Sequence, residues 1–184
     1  MTESATWEFS LFDWSLHGAD GVALDPRHVS KLISAQSAKD AREAFFVVSS
    51  AVGENGKIYP CALSILRAVL AALPKCDTHA KARCLELIGN IAASSLGGDS
   101  EKLWRDCQNE IRNAYWIFAS GIQFDDTALV ASYVDILGCI GLVFSDLRVI
   151  SHRYLEMALT RDIPKGDIQM IRNTIRELEQ ELSE

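Results

Sequence analysis

The sequence predicts a single all-α domain, and three observations lead to that class. Almost every segment after residue 25 opens on a helix-start signal. No segment shows the alternation of apolar and polar residues that marks a half-buried strand. The 184 residues are 48% apolar, with only 11 Gly and 4 Pro, a composition that supports a packed core and argues against disorder.

Each predicted helix begins at a cap or a proline and ends at a glycine, a proline or the next cap. In chain order, these signals are Asp25-Pro26, Ser37 with Asp40, Gly53 to Gly56, Tyr59-Pro60, Pro74, Asp77-Thr78, Gly97-Gly98-Asp99 with Ser100, Asp125-Asp126, Ser145 and Pro164. With their caps included, the eight predicted helices are 25–35, 37–52, 59–73, 77–95, 100–120, 125–144, 145–160 and 164–184.

An internal repeat indicates how these helices are arranged. Short connections make sequential helices antiparallel neighbours, and a shift of 49 residues superimposes caps, apolar positions and one acidic position. The matched pairs are Asp77-Thr78 with Asp126-Thr127, Glu86 with Asp135, Leu87-Ile88 with Ile136-Leu137, and Gly89 with Gly138. A helical hairpin of this length is typical of HEAT and armadillo stacks. We therefore expect one domain, 1–184, with an arm (1–24), three hairpins (25–144) and closing helices (145–184).

Three stretches resemble a group of bacterial HEAT-like, armadillo-type repeat proteins. They are 12–19 (FDWSLHGA), 56–62 (GKIYPCA) and 82–89 (ARCLELIG). The resemblance spans roughly residues 14–143 and implies a right-handed α-solenoid that binds protein partners. Some members of the group resemble immunity partners of bacterial toxins. The resemblance carries no catalytic set, and residues 145–184 have no counterpart in it.

The N-terminal arm is rich in large apolar side chains. They are Trp7, Phe9, Leu11, Phe12, Trp14 and Leu16. Terminal repeats of a solenoid need a cover for their exposed apolar face, so one interpretation is a buried arm. The alternative is an exposed docking segment.

The last predicted helix carries an a/d seam of apolar residues. The seam consists of Ile168, Ile171, Ile175, Leu178 and Leu182. Two and a half heptads fall short of what a coiled coil usually needs. A capping helix in a monomer is therefore favoured over a coiled-coil dimer.

The charge distribution bears on the class of partner. The formal net charge is −7, which disfavours direct binding of nucleic acid phosphates. Residues 61–120 hold 7 basic and 6 acidic side chains, whereas residues 121–184 hold 6 and 11. An acidic surface favours a basic partner and accelerates its association.

Five residues are the candidate partner-binding set. Trp116 falls about 170° from the apolar stripe of a continuous helix 100–120, beside Arg105 and Arg112. An aromatic residue flanked by Arg is typical of an interface hot spot, although large aromatics are also commonly buried. The repeat would point Glu86 and Asp135 the same way along a partner-binding groove, with ordinary solvated helix faces as the alternative. Asp125 and Asp126 complete the set.

No cofactor, metal or catalytic constellation is predicted. Cys76, His79 and Cys84 lack the fourth ligand and the paired spacing of a zinc site. The five cysteines are odd in number and mostly lie among aliphatic residues, a pattern typical of reduced, buried thiols. The N-terminus lacks the basic residues of a secretory signal, so we expect a soluble cytoplasmic protein.

The sequence thus predicts a non-enzymatic, protein-binding module. Its most specific form is an immunity protein that blocks the active surface of a toxin encoded nearby, for example a basic or nuclease-like one. The alternative is a general HEAT-type scaffold or adaptor. A nucleic-acid enzyme on a HEAT fold comes third, because such enzymes need a basic concave face.

Overall fold

The structure is a computed structural model of the chain and describes residues 12–16, 18, 21–54, 56–94 and 101–183. These ranges are predominantly helical, which confirms the predicted all-α class. The α-helices they contain are α1 Pro26–Ile33, α2 Ala38–Val52, α3 Ala62–Ala72, α4 Thr78–Ala92, α5 Glu101–Asn113, α6 Tyr115–Phe124, α7 Val130–Val143, α8 Ser145–Ala158 and α9 Lys165–Leu182. Short 3₁₀ turns follow α3 at Leu73–Lys75 and precede α7 at Thr127–Leu129.

The loop predicted after α2 contains a small antiparallel ribbon. Strand β1 (Gly53–Glu54) pairs with β2 (Lys57–Ile58). Gly56 has φ +79°, the left-handed region that favours glycine. A Cβ at Gly53 would lie 2.5 Å from the Lys57 carbonyl oxygen, so the two strands can approach only because this position lacks a side chain.

The continuous helix predicted over 100–120 is wrong, because the chain breaks it at Ala114. This residue has φ −87° and ψ 6°, and its N–H donates to the Ile111 carbonyl three residues back. A new helix, α6, starts at Tyr115. Neither Gly nor Pro marks the break, so the sequence gives no local signal for it.

Two compact units divide the chain, residues 1–110 and 111–184, with the boundary inside α5. The domain bounds predicted from the sequence, and the stacking of three hairpins, stay predictions. Each unit has its own buried apolar side chains.

In the first unit, side-chain caps define the helix starts. The Asp25 carboxylate accepts from the Arg27 N–H, with Pro26 at the first helical position. The Ser37 hydroxyl accepts from the Asp40 N–H at 3.1 Å. The core of this unit includes Val29, Leu32, Val48, Ile65, Leu66, Leu85, Ile88 and Ile91.

The described part of the N-terminal arm packs onto this unit. Phe12, Trp14 and Leu16 are half-buried and alternate with exposed residues. The Ser64 hydroxyl of α3 donates to the Asp13 carbonyl at 2.9 Å. The buried-arm interpretation therefore fits this short stretch. The arm residues Trp7, Phe9 and Leu11 lie outside the described residues, as do His17, the Gly97-Gly98 turn and the Ser100 cap.

In the second unit, small residues allow close helix packing. Added Cβ atoms at Gly121, Gly138 and Gly141 would lie 2.3 Å from the Tyr133 ring, 2.4 Å from Thr174 and 2.9 Å from Leu178, respectively. The last two contacts place α9 directly against α7. The seam residues buried on α9 are Ile171, Ile175 and Leu178, so this part of the seam packs within the chain's own unit.

The repeat of 49 residues reappears in local conformation. Asp77 accepts from the His79 N–H at the start of α4, and Asp126 accepts from the Ala128 N–H at the start of the second 3₁₀ turn. Glu86 and Asp135 are both exposed, and the two residues after each are buried. One difference is that Asp77 opens an α-helix directly, whereas Asp126 opens a 3₁₀ turn that leads into α7.

Candidate protein-binding surface

The second unit exposes an aromatic residue at the start of α6. Tyr115 and Trp116 are consecutive, so the helix turns their side chains about 100° apart. Tyr115 is buried, and Trp116 is 61% exposed. No residue of Tyr115–Phe124 is charged, so the helix presents the indole without competing ionic groups of its own.

Edge-to-face contacts with two tyrosine rings hold this indole in position. The Trp116 ring centroid lies 5.3 Å from that of Tyr115, at an interplanar angle of 88°. Tyr154 of α8 completes a triangle, 6.5 Å from Trp116 and 6.2 Å from Tyr115. Such T-shaped pairs add about 0.5–1.5 kcal/mol beyond burial of area. Trp116 is therefore exposed and also positioned.

Tyr154 of α8 and Arg161, which follows this helix, contact the two ends of α6. Tyr154 contacts the first turn of α6, and Arg161, just after α8, donates to the Ile122 and Asp125 carbonyls. Ile122 lies in the last turn of α6 and Asp125 is its C-cap residue, so the guanidinium binds at the helix end where a cation is favourable. Phe124, the last residue of α6, is 81% exposed.

We name Trp116, Tyr154 and Phe124 the aromatic face. Trp116 and Phe124 are eight residues apart, about 12 Å along the helix and about 80° around it, so they share one side of α6. On the exposed side of α8 lie Arg153, which makes no ion pair with the described residues, and Met157. Trp, Tyr, Arg and Met are the residue types enriched at protein interfaces.

Burial also changes the pKa of Tyr115, the residue that packs beneath the aromatic face. Loss of solvent around the phenol raises the pKa of Tyr115 to about 12. This hydroxyl remains neutral at physiological pH and acts as part of the supporting core.

Two of the predicted acids lie at the C-terminal end of α6. The Asp125 carboxylate accepts a hydrogen bond from the Tyr133 hydroxyl, and Asp126 is the 3₁₀ cap described above. Both side chains thus have internal partners. The structure brings them to the Phe124 end of the aromatic face, as adjacent residues of one loop.

Asp135 lies on α7 and has an acidic neighbour. Its side chain is exposed at the surface, yet partial desolvation raises the pKa of its carboxyl, and the Asp167 carboxylate raises this pKa further. A carboxyl with a raised pKa favours a cationic partner, because a nearby positive charge stabilises the ionised form that desolvation and Asp167 disfavour.

Glu86 lies in the first unit, on the wall of an open cavity. Its carboxylate pairs with Arg83 one turn earlier on α4. The cavity has a volume of about 990 Å³ and is bounded by residues 22–28, the C-terminal parts of α2 and α4, and the ribbon. We name this cavity the first-unit groove.

The structure thus groups the predicted residues in part. Trp116, Asp125 and Asp126 lie at the two ends of one helix, whereas Glu86 and Asp135 belong to different units. Their common groove stays a prediction. Sequence reasoning missed Phe124 and Tyr154. The predicted helix ended at residue 120, before Phe124, whereas Tyr154 is 38 residues from Trp116 and has no local signal.

The thiols show no assembled metal site within the ranges the structure covers. The five cysteines are free, and Cys61, Cys84 and Cys107 are buried. The described residues contain no cluster of three metal-ligating side chains. None of the described helices is long and apolar enough to cross a membrane.

Comparisons with protein-family models, curated proteins and solved structures gave no match.

Proposed function

We propose that this chain is a non-enzymatic, protein-binding module. The observation that carries the proposal is the exposed indole of Trp116, held edge-on by Tyr115 and Tyr154. Exposing a large aromatic to water is unfavourable, and hot spots combine such a side chain with a rigid base. The charge-free sequence of α6 and the 81% exposure of Phe124 extend the apolar surface available to a partner.

The wider architecture in this proposal is a right-handed α-solenoid of about three HEAT-like hairpins, with closing helices at the C-terminus. Its support is the repeat: Asp77 and Asp126 use the same cap geometry, and burial follows the same order after Glu86 and Asp135. Each such hairpin buries its apolar face only by stacking.

The proposed partner is a bacterial toxin encoded nearby, with a basic or nuclease-like surface, which makes this chain its immunity protein. The support is the HEAT-like resemblance, together with the acids beside the aromatic face. Asp125 and Asp126 would steer a basic surface toward Phe124. A cation beside Asp135 would favour its ionised form, which desolvation and the Asp167 carboxylate disfavour.

Co-expression with the protein encoded beside its gene tests this identity. The expected result is a stable complex and rescue of growth from the neighbour's toxicity. A complex without toxicity would instead indicate a scaffold or adaptor. If there is neither complex nor rescue, the immunity proposal fails.

Trp116→Ala tests the binding surface itself. We expect affinity for the partner to fall by about 2 kcal/mol or more, as at other central aromatic hot spots. Leu182→Ala is the matched control, since Leu182 is an apolar residue of the same unit with 45% exposure. Calorimetric titration of both variants measures the difference. Equal affinities for the two variants would remove Trp116 from the interface.

A further inference from the structure

The aromatic face contains a row of three exposed residues along α6. Trp116, Ser120 and Phe124 follow one another at intervals of four. Residues at this spacing form one ridge of a helix surface. The ridge is high at both ends, where Trp116 is 61% exposed and Phe124 is 81% exposed, and low in the middle, where the side chain is a serine. A second helix can therefore approach most closely at Ser120.

Helix α8 continues this face beside α6. Tyr154 contacts Trp116 at one end of α6, and Arg161 binds backbone carbonyls at the other end. Positions along α8 thus follow positions along α6. Met157, which is 38% exposed, is about halfway between Tyr154 and Arg161 in the chain. The middle of the face therefore consists of Ser120 on α6 and Met157 on α8.

The two ends of the face carry opposite charges. Arg153 of α8 is exposed at the end where the indole lies. Asp126 and Asp162 are exposed at the other end, because each comes one residue after a member of the hydrogen bond between Arg161 and the Asp125 carbonyl. None of the three exposed side chains makes an ion pair with another described residue. They are thus available to a partner.

Other charged side chains around the face already have partners. Arg112, four residues before Trp116, pairs with Asp146. Glu156 of α8 approaches the His152 ring at 3.6 Å. The charge that remains unpaired is therefore positive at the indole end and negative at the opposite end.

A face with this pattern is complementary to itself. A two-fold axis that crosses α6 at Ser120 and α8 at Met157 turns a second copy end for end. Trp116 of each copy would then lie beside Phe124 of the other, on either side of the low point of the ridge. Each contact would occur twice, as an isologous interface requires.

The same axis pairs the opposite charges. Arg153 of each copy would face Asp126 and Asp162 of the other, so two clusters of attractive contacts flank the apolar middle. Charges arranged in this way fix the register of an interface and disfavour wrong orientations. A parallel arrangement would instead bring like charges together at both ends.

We propose that the occupant of the aromatic face in the free protein is a second copy of this chain, packed antiparallel about the axis through Ser120 and Met157. Ridges of four-residue spacing interlock when two helices cross at about 50°. One ridge of α6 and one side of α8 form a small interface, of the class below about 1,200 Å² that is typical of transient complexes. The dimer therefore exchanges with the monomer.

A toxin that binds the same face must displace the second copy. The dimer itself requires no toxin, so its absence would leave the proposed function unaffected. Conversely, failure of the toxin experiments would leave the dimer to be judged by its own measurements.

Analytical ultracentrifugation of the full-length chain measures the monomer–dimer equilibrium. We expect the sedimentation coefficient to rise reversibly with concentration. Trp116→Ala should raise the dissociation constant of the dimer by about tenfold or more, because the lost aromatic contact occurs twice. Leu182→Ala, which shortens an apolar residue of the same unit with 45% exposure, should leave it unchanged. A chain that stays monomeric up to about 500 μM, or a dimer that Trp116→Ala does not weaken, would overturn the proposal.

Charge reversal tests the antiparallel arrangement. Arg153→Asp and Asp162→Arg should each raise the dissociation constant by about fivefold or more, because each brings like charges together across the axis. An equimolar mixture of the two variants should restore association, since position 153 of one chain then faces an opposite charge at position 162 of the other. A mixture that associates no better than either variant alone would contradict the arrangement. Circular dichroism establishes that each variant is folded.

A cysteine on the two-fold axis meets the same cysteine of the second copy. Ser120→Cys should therefore give a disulfide-linked dimer under mild oxidation. Ser183→Cys, at an exposed serine after α9, is the matched control, and both variants keep the same native thiols. Non-reducing electrophoresis compares their yields. An equal or lower yield at position 120 would show that the axis does not cross α6 there.

Discussion

Trp116 is exposed, whereas Tyr115, one residue earlier on the same helix, is buried. A shift of one position thus separates the residue available to a partner from the residue that packs beneath it. Both are large aromatics with similar apolar area. The start of α6 at Tyr115 directs the Tyr115 side chain inward and the Trp116 side chain outward. Tyr154 then limits the rotation of the indole. Preorganisation of this kind lowers the ordering cost that a partner must otherwise meet on binding.

Asp135 gives a prediction for pH dependence. Its folded-state pKa is raised, first by desolvation and then by Asp167. Native protein therefore holds this proton more tightly than unfolded protein does. The stability it contributes is complete below the ordinary pKa of 3.8 and is lost as pH rises through the folded-state value.

Asp135→Asn should therefore stabilise the protein at pH 7, by less than about 1 kcal/mol because water screens the exposed carboxylate. The gain should disappear near pH 3. Chemical denaturation at both pH values measures it. Asp162→Asn, which removes one exposed charge from the same unit, is the control. A gain that persists unchanged at pH 3 would contradict the prediction.

At the scale of elements, close packing at glycine positions fixes the arrangement of the second unit. Gly121 of α6 lets the Tyr133 ring of α7 lie directly on the helix backbone. The same tyrosine donates its hydroxyl hydrogen to Asp125. One contact thus links the base of α6 to the loop at its end. Gly138 and Gly141 perform the corresponding task between α7 and α9.

Gly121→Ala should destabilise the protein by about 1–3 kcal/mol, the usual cost of overpacking. Alanine favours the helix by about 1 kcal/mol over glycine, but the buried Tyr133 ring would have to move. Gly166→Ala is the matched control, because a Cβ at Gly166, in the first turn of α9, meets no atom within 4 Å. Thermal unfolding compares the two, and equal melting temperatures would refute the packing argument.

At the scale of the whole molecule, the reactivity of the buried thiols measures how readily the folded protein opens. Cys84 and Cys107 are inaccessible, and burial raises the pKa of Cys107 to about 12. The thiolate is the reactive form, so the native protein protects this sulfur twice, by exclusion of the reagent and by suppression of ionisation.

Labelling of Cys107 by a maleimide should consequently be slow in native protein, and should accelerate with denaturant in parallel with unfolding. Intact-protein mass spectrometry follows the label, and Cys107→Ser identifies its signal. Rapid labelling without denaturant, at the rate of a small exposed thiol, would show that α5 opens locally at Cys107.

The sequence by itself determined the all-α class of this protein and several of its helix starts, because caps and breakers act within a few residues. Asp25, Ser37, Asp77 and Asp126 accept the cap hydrogen bonds that their positions predict. The repeat of caps and burial also follows from local pattern. Only the tertiary structure decided the break at Ala114, which no local signal marks, and the support of Trp116 by Tyr154. Contacts between residues distant in the chain depend on packing, and a single sequence does not encode them at any fixed spacing.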